Sequence, residues 1–309
     1  MDRFTWSILS ARPHARERKR RKTGDGGHSA HTGDKLLNLK RFIAAAAVCA
    51  LVLALWAFWW EPRRLVVRES SVDLACWRGR PLRIAIASDL HIGSPHTGVA
   101  KLERIVERIN AGKPDVVVLL GDFVIQGVIG GSFVPPETIA AHLGRLRAPL
   151  GVYAVLGNHD WWLDAPRMIR AFESAGITML EDTSLPIAHG GQRFRLAGIS
   201  DFMEGAHDVQ RALAAVEDEG AVIAITHNPD VFPAIPRRVC LTLAGHTHGG
   251  QVAIPLVGRP VVPSQFGEHY ALGHVHENGK QLFVTAGIGT SIIPVRFRVP
   301  PEIVFLTTH

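Results

Sequence analysis

Cysteine is scarce in this sequence: three residues in 309, none in a CxxC pair. That excludes a disulfide-framework fold, a thiolate zinc site and a dithiol redox centre. Cys49 lies in an apolar run, and Cys76 and Cys240 read as two buried thiols unless the domain is exported, in which case they could pair. Charge of one sign is also missing where it would matter most. The net charge is +6, but residues 1–41 hold 11 Lys/Arg against 4 Asp/Glu, leaving 23 basic and 24 acidic residues for the rest. A neutral body offers no basic stripe to track a nucleic-acid backbone, so no nucleic-acid partner is expected. No internal repeat and no low-complexity region beyond the basic Arg16–Gly33 stretch is present.

Charge is absent altogether from Phe42 to Trp60, 19 residues rich in Ala, Leu and Trp. That length crosses a hydrocarbon core of about 30 Å. Lys40 and Arg41 bound it on one side and Glu61-Pro62-Arg63-Arg64 on the other, with Trp56, Trp59 and Trp60 where an interfacial aromatic belt belongs. The expected organisation is a basic, disordered tail (1–41), a transmembrane helix (42–60), a linker (61–80) and a catalytic domain (81–309). The excess of Lys/Arg before the helix places the N-terminus in the cytoplasm and the domain outside, periplasmic or otherwise extracytoplasmic. Leu39-Lys40-Arg41-Phe42-Ile43 has some likeness to a twin-arginine signal, but the Trp-rich end lacks a small-x-small cleavage site, which favours a retained anchor.

Beyond the linker, short β-branched runs alternate with segments of helical periodicity. Arg83–Asp89, Asp115–Asp122 and Gly151–Asn158 are continuous apolar runs, as for strands covered on both faces. Val99–Asn110 and Pro136–Arg147 carry apolar residues at helical spacing between them, which implies parallel pairing with right-handed crossovers. Arg193–Ile199, Ala221–Thr226 and Cys240–Ala244 are further strands, and Asn278-Gly279 marks a hairpin between His269–His276 and Gln281–Thr285. The second half therefore reads as richer in antiparallel pairing.

Five of these strands end in polar residues that packing does not need. They are Asp89-Leu90-His91, Gly121-Asp122, Gly157-Asn158-His159-Asp160, Thr226-His227 and Gly245-His246-Thr247-His248. Ligand sites of α/β sheets lie at strand carboxyl ends, so these groups should converge. Oxygen and nitrogen donors without thiolate suit Mn, Fe, Zn, Ni or Mg. The donors exceed what one ion with open positions needs, so two divalent metal ions fit better, with Asp122 as the shared ligand. Asp160 is equally readable as a helix cap, and Gly249-Gly250-Gln251 as the turn after His248. His96, His189, His207, His269, His274 and His276 fall outside every motif, and the loop Phe123–Val134 is a surface loop that could face the substrate.

In order and type these five pieces resemble the calcineurin-like metallophosphoesterase superfamily, whose pattern runs D-x-H, GD, GNH-D/E, H, GH-x-H. The resemblance implies an α/β fold with central mixed β-sheets, a two-sheet α/β sandwich flanked by helices, and a dimetal site at the strand ends. It also implies that Asp89, His91, Asp122 and His248 hold one metal and Asp122, Asn158, His227 and His246 the other. A metal-bridging hydroxide would attack phosphorus, His159 would protonate the leaving oxygen, and Asp160 would orient His159. With its hydrophobic N-terminus and the string Gly245–Gln251, GHTHGGQ, the chain resembles bacterial membrane-associated members that act on phosphodiester or pyrophosphate bonds. Some of those hydrolyse a lipid-linked UDP-diacylglucosamine, a cytoplasmic step at odds with the charge asymmetry here. A phosphomonoesterase or protein phosphatase would share the same metal core.

Overall fold

The computed structural model describes residues 27–216 and 220–309, with side chains from residue 35 onward. Gly27–Leu55 is α-helical, passes through a π-helical turn at Trp56–Trp60 and ends in a short turn at Glu61–Arg63. Helix thus begins before the expected Phe42. A helix nucleated in an apolar run propagates readily through the helix-forming residues Lys35–Arg41. The expected tail up to residue 26 lies outside the described residues. Lys35–Arg63 is the one helix among the described residues long and apolar enough to cross a membrane, with a mean hydropathy of 2.4 and only 6% burial.

Val52–His309 form one compact unit. Its strands are β1 (Val66–Val72), β2 (Leu82–Ala87), β3 (Val116–Leu119), β4 (Val152–Ala154), β5 (Thr178–Met179) and β6 (Thr183–His189). They continue with β7 (Gln192–Ile199), β8 (Ala221–Thr226), β9 (Leu241–Ala244), β10 (Gly273–Glu277), β11 (Lys280–Val284) and β12 (Glu302–Thr308). One sheet runs β1-β12-β2-β3-β4-β5, the other β10-β11-β9-β8-β7-β6. In the first, only the β12–β2 pair is antiparallel; in the second, β10–β11 and β6–β7 are.

The period of two along each strand builds the layers. Ile84, Ile86, Val116 and Val118 face inward and meet Leu196, Ile223, Ile225, Leu241 and Leu243 of the second sheet. The alternate residues Ala85, Ala87, Val117 and Leu119 face outward under the helices Val99–Ala111, Pro136–Leu143 and Asn158–Ser174. On the far side, Ala197, Ile199, Val222 and Ala224 pack against Leu213, Val231 and Phe232. The result is the expected two-sheet α/β sandwich flanked by helices.

The expected linker is corrected. Residues 66–72 form edge strand β1, paired in parallel with β12 from Val66–Glu302 to Val72–Thr308, and Leu74 and Trp77 enter the inner core. Glu61 and Pro62 are buried, and the fully buried end of Lys101 donates from Nζ to Pro62 O at 2.8 Å. Its sequence, Val-Val-Arg-Glu-Ser-Ser-Val, is polar in the middle, as suits an edge strand, but has no clean alternation to mark it as one.

Cys76 and Cys240 are disulfide-bonded, with Cα atoms 6.2 Å apart, where two separate thiols were the simpler expectation. The bond ties the segment after β1 to the start of β9, closing a sequence separation of 164 residues. Such a link removes conformational freedom from the unfolded chain. Replacing both with serine should lower unfolding stability by about 2–4 kcal/mol in a urea titration. Equal midpoints with and without reductant for the unsubstituted chain would contradict this.

Candidate metal centre

All five strand ends singled out in the sequence arrive at one place, the seam where the carboxyl edges of the two sheets meet. β2, β3 and β4 deliver Asp89/His91, Asp122 and Asn158/His159 from the first sheet; β8 and β9 deliver His227 and His246/His248 from the second. Backbone bonds lock the loops side by side: Asp89 N donates to Gly121 O and His91 N to Asp122 O, both at 2.9 Å, and Gly245 N to His227 O at 2.8 Å. The seam is stitched by His246 N donating to Asp89 Oδ1 at 3.0 Å and by His227 Nδ1 bonding Leu120 O at 2.6 Å.

The backbone turns sharply at five of the seven expected ligands. Asp89, His91, Asp122, His246 and His248 all have positive φ, between 40° and 67°. Asp and His tolerate this left-handed region better than most residues, at an order of 1–3 kcal/mol each. Space is supplied by glycine. A Cβ on Gly157 would collide with the Asp122 carboxylate, and one on Gly287 would lie 2.6 Å from Asp89 Cβ.

Two donor groups result, with atoms mutually within 4.8 Å: Asp89, His91, Asp122 and His248, and Asp122, His227 and His246. Asp122 Oδ2 belongs to both, 3.4 Å from His91 Nε2 and 3.3 Å from His227 Nε2. His248 Nε2 lies 3.4 Å from Asp89 Oδ1. Asn158, buried beside them, has its Oδ1 without a hydrogen-bond partner.

The set fits cations by its own chemistry. Nδ1 of His91 and of His227 face the carbonyls of Val124 and Leu120, which can only accept, so these nitrogens carry the hydrogen and turn the Nε2 lone pairs inward. His91 Nε2 then sits 3.1 Å from His248 Nε2, and His227 Nε2 3.1 Å from His246 Nδ1. Lone pairs aimed at a common point, ringed by carboxylates and an orphaned amide oxygen, are a nitrogen and oxygen ligand set for borderline divalent ions.

Electrostatics point the same way. Burial pushes Asp89 up to about 6, opposed by the charge on His227. Burial also opposes ionisation of Asp122, yet the charge and hydrogen bond of His227 hold its carboxyl well below the usual range. His227 itself is raised well above normal, Asp122 outweighing burial, while burial and cationic neighbours depress His91 and His246 to about 3. The buried carboxylates thus favour positive charge in the pocket, which a bound cation would supply.

His159 lines the cavity, with Nε2 4.0 Å from Asp122 Oδ2 and its ring packed on His91 and Trp162. Its Nδ1 is buried without a partner, so the expected bond from Asp160 is not formed. Asp160 instead accepts from Phe123 N at 2.9 Å, Val124 N at 3.3 Å and Gly157 N at 3.0 Å. Three amide dipoles satisfy its carboxylate and leave it turned away from the imidazole. It therefore clamps the loops after β3 and β4 together, the capping role left open above. Gly250 and Gln251 line the cavity, whereas His269 and His274 bond Glu277 and Gln281 on the C-terminal hairpin.

Sequence reasoning missed two residues. Arg296 is fully buried, donates to Gly289 O, Ala286 O and Val299 O, and brings Nη2 within 3.5 Å of His248 Nδ1. Nothing in the local sequence marks it. Asp201, buried with an unpartnered Oδ1, follows the end of β7 as Ser200-Asp201, and the strand-end signal used for the others would have found it.

The calcineurin-like phosphoesterase family model matches residues 82–278. The chain belongs to this family of phosphoric ester hydrolases. It is 29% identical over 235 residues to YkuE, an uncharacterized metallophosphoesterase of Bacillus subtilis, covering 73% of this chain and 78% of that one. It is 31% identical over 257 residues to a zebrafish transmembrane protein with a metallophosphoesterase domain, covering 79% of this chain but 56% of the relative. It is 30% identical over 233 residues to Escherichia coli phosphodiesterase YaeI, covering 73% of this chain and 82% of YaeI. In this family member, Gly157→Ala should fold yet bind Mn²⁺ at least tenfold more weakly by calorimetry, about 1.4 kcal/mol per tenfold; unchanged affinity would refute the close-approach role of Gly157.

Proposed function

We propose that this chain is a membrane-anchored dimetal phosphoesterase acting on phosphodiester or pyrophosphate bonds. The observation that carries the reading is the sharing of Asp122 Oδ2 between two donor groups, each of which draws on both sheets. Asp89, His91, Asp122 and His248 would hold one ion, and Asp122, Asn158, His227 and His246 the other. The two ions, when bound, supply a water acidified for attack at neutral pH and neutralise the phosphoryl oxygens.

The chain's own residues do the rest. His159 faces the cavity beside the shared carboxylate, placed to give a proton to the leaving oxygen. Asp160 keeps the loops that carry Asp122 and His159 in register. The cavity of about 400 Å³ is lined by no Lys or Arg among the described residues, which favours the single charge of a diester over the dianion of a monoester. The YaeI relative is named as a phosphodiesterase, which supports the same choice.

The helix Lys35–Arg63 and the zebrafish transmembrane relative support anchoring. The Cys76–Cys240 disulfide and the basic N-terminus support a domain outside the cytoplasm, where such bonds persist.

Calorimetry with Mn²⁺ should give two ions per chain, none for Asp122→Asn at the same concentrations, and one for His227→Ala. His159→Ala should retain both ions and slow hydrolysis of a model diester by about 10²–10⁴-fold. Two ions bound by Asp122→Asn would defeat the shared-ligand assignment, and faster turnover of a monoester than of the diester would favour a phosphomonoesterase. For topology, alkaline phosphatase fused after His309 should be active in whole cells; activity only of a cytoplasmic reporter would reverse the orientation.

A further inference from the structure

Outside the anchor helix, large apolar side chains are not exposed at random. Every exposed one among the described residues follows the carboxyl end of β3, β4, β7, β9 or β11, the edge that carries the metal centre: Trp162 sits in the helix after β4 and the others in loops. Leu256 is fully exposed, Val257 69%, Ile292 66% and Ile129 65% exposed. Soluble surfaces scatter such residues singly, and a contiguous apolar rim marks a contact surface.

The loop after β11, and the loop after β2 beside it, are bonded to the end of the helix. Arg296 N donates to Ala57 O at 2.9 Å, and the His96 ring bonds Phe58 O at 3.0 Å. From there the connections run outward: Phe297 pairs with Val252, Gln251 bonds Ser291 in both directions, and Ile129 N donates to Ile292 O at 3.0 Å. The turn that carries Trp56, Trp59 and Trp60, the aromatic belt, is therefore joined through Ala57 O to the segment that bears Ile292, and through Phe297 and Val252 to the segment that leads to Leu256. Buried Glu61 and the bond from Lys101 to Pro62 make the exit rigid.

We propose that this apolar rim is a bilayer-contact surface. Leu256, Val257, Ile129 and Ile292 seat in the headgroup and upper acyl layer on the side where the helix leaves the membrane, and the cavity opens at that layer. The occupant is lipid because the rim is continuous with a helix end whose tryptophans already belong to the interface. The inference rests on the anchoring reading above and extends it from a tether to a fixed docking of the catalytic mouth.

The test uses the full chain with Cys49→Ala, reconstituted in phosphatidylcholine/phosphatidylglycerol nanodiscs, carrying a nitroxide at Leu256→Cys, Leu53→Cys or Lys113→Cys. Lys113 is exposed at the opposite edge, before β3. Collision with oxygen relative to a polar nickel chelate should be several-fold higher at 256 than at 113, and highest at 53. A deep 53 with a 256 as polar as 113 overturns the rim inference and leaves the anchor standing. Polar readings at both 53 and 256 overturn the anchor reading and the rim with it. Dipolar broadening at 256 would instead assign the rim to contacts between copies and overturn the lipid assignment.

Discussion

Two aspartates buried at one seam set the terms for this molecule. Asp89 and Asp122 are almost fully shielded from water, and carboxylates so placed are stable only where positive charge and hydrogen bonds meet them. The architecture answers with histidines from both sheets, backbone amides, and left-handed turns at Asp89, His91, Asp122, His246 and His248. Neither sheet carries the site alone. Packing of Ile84, Ile86 and Val118 against Ile223, Ile225 and Leu243 is what brings Asp122 within reach of His227. Inner-core packing and metal chemistry are therefore one constraint.

Much of this was written in the chain. The strands ending at Asp89, Asp122, Asn158, His227 and His246 could be read because covered parallel strands are continuous apolar runs and their polar terminators have no packing use. The seven expected ligands all converge, Asn158 included. What could not be read depends on long-range pairing. β1 and β12 hydrogen-bond across more than two hundred positions, and neither shows a clean alternation. The partner of Asp160 was undecidable because a carboxylate at the start of a helix serves a neighbouring imidazole or nearby amides with equal local logic. Arg296 has no local signature, since its partners are carbonyls of a loop with no regular structure.

The segment after the helix changes the picture of how the domain is held. A linker would leave the domain free of the helix end, whereas buried Glu61, the Lys101–Pro62 bond and edge strand β1 build that end into the fold. Arg296 joins both regions, its backbone amide bonded to Ala57 and its guanidinium beside His248. The end of the helix and the metal centre thus share one buried arginine, and the Cys76–Cys240 bond ties the first segment past β1 to the strand that presents His246.

The most direct measurement of the central claim is anomalous diffraction from crystals grown with Mn²⁺. The account predicts two peaks about 3.5–4 Å apart with the Asp122 carboxylate between them. One peak, or two that do not share Asp122, would contradict it.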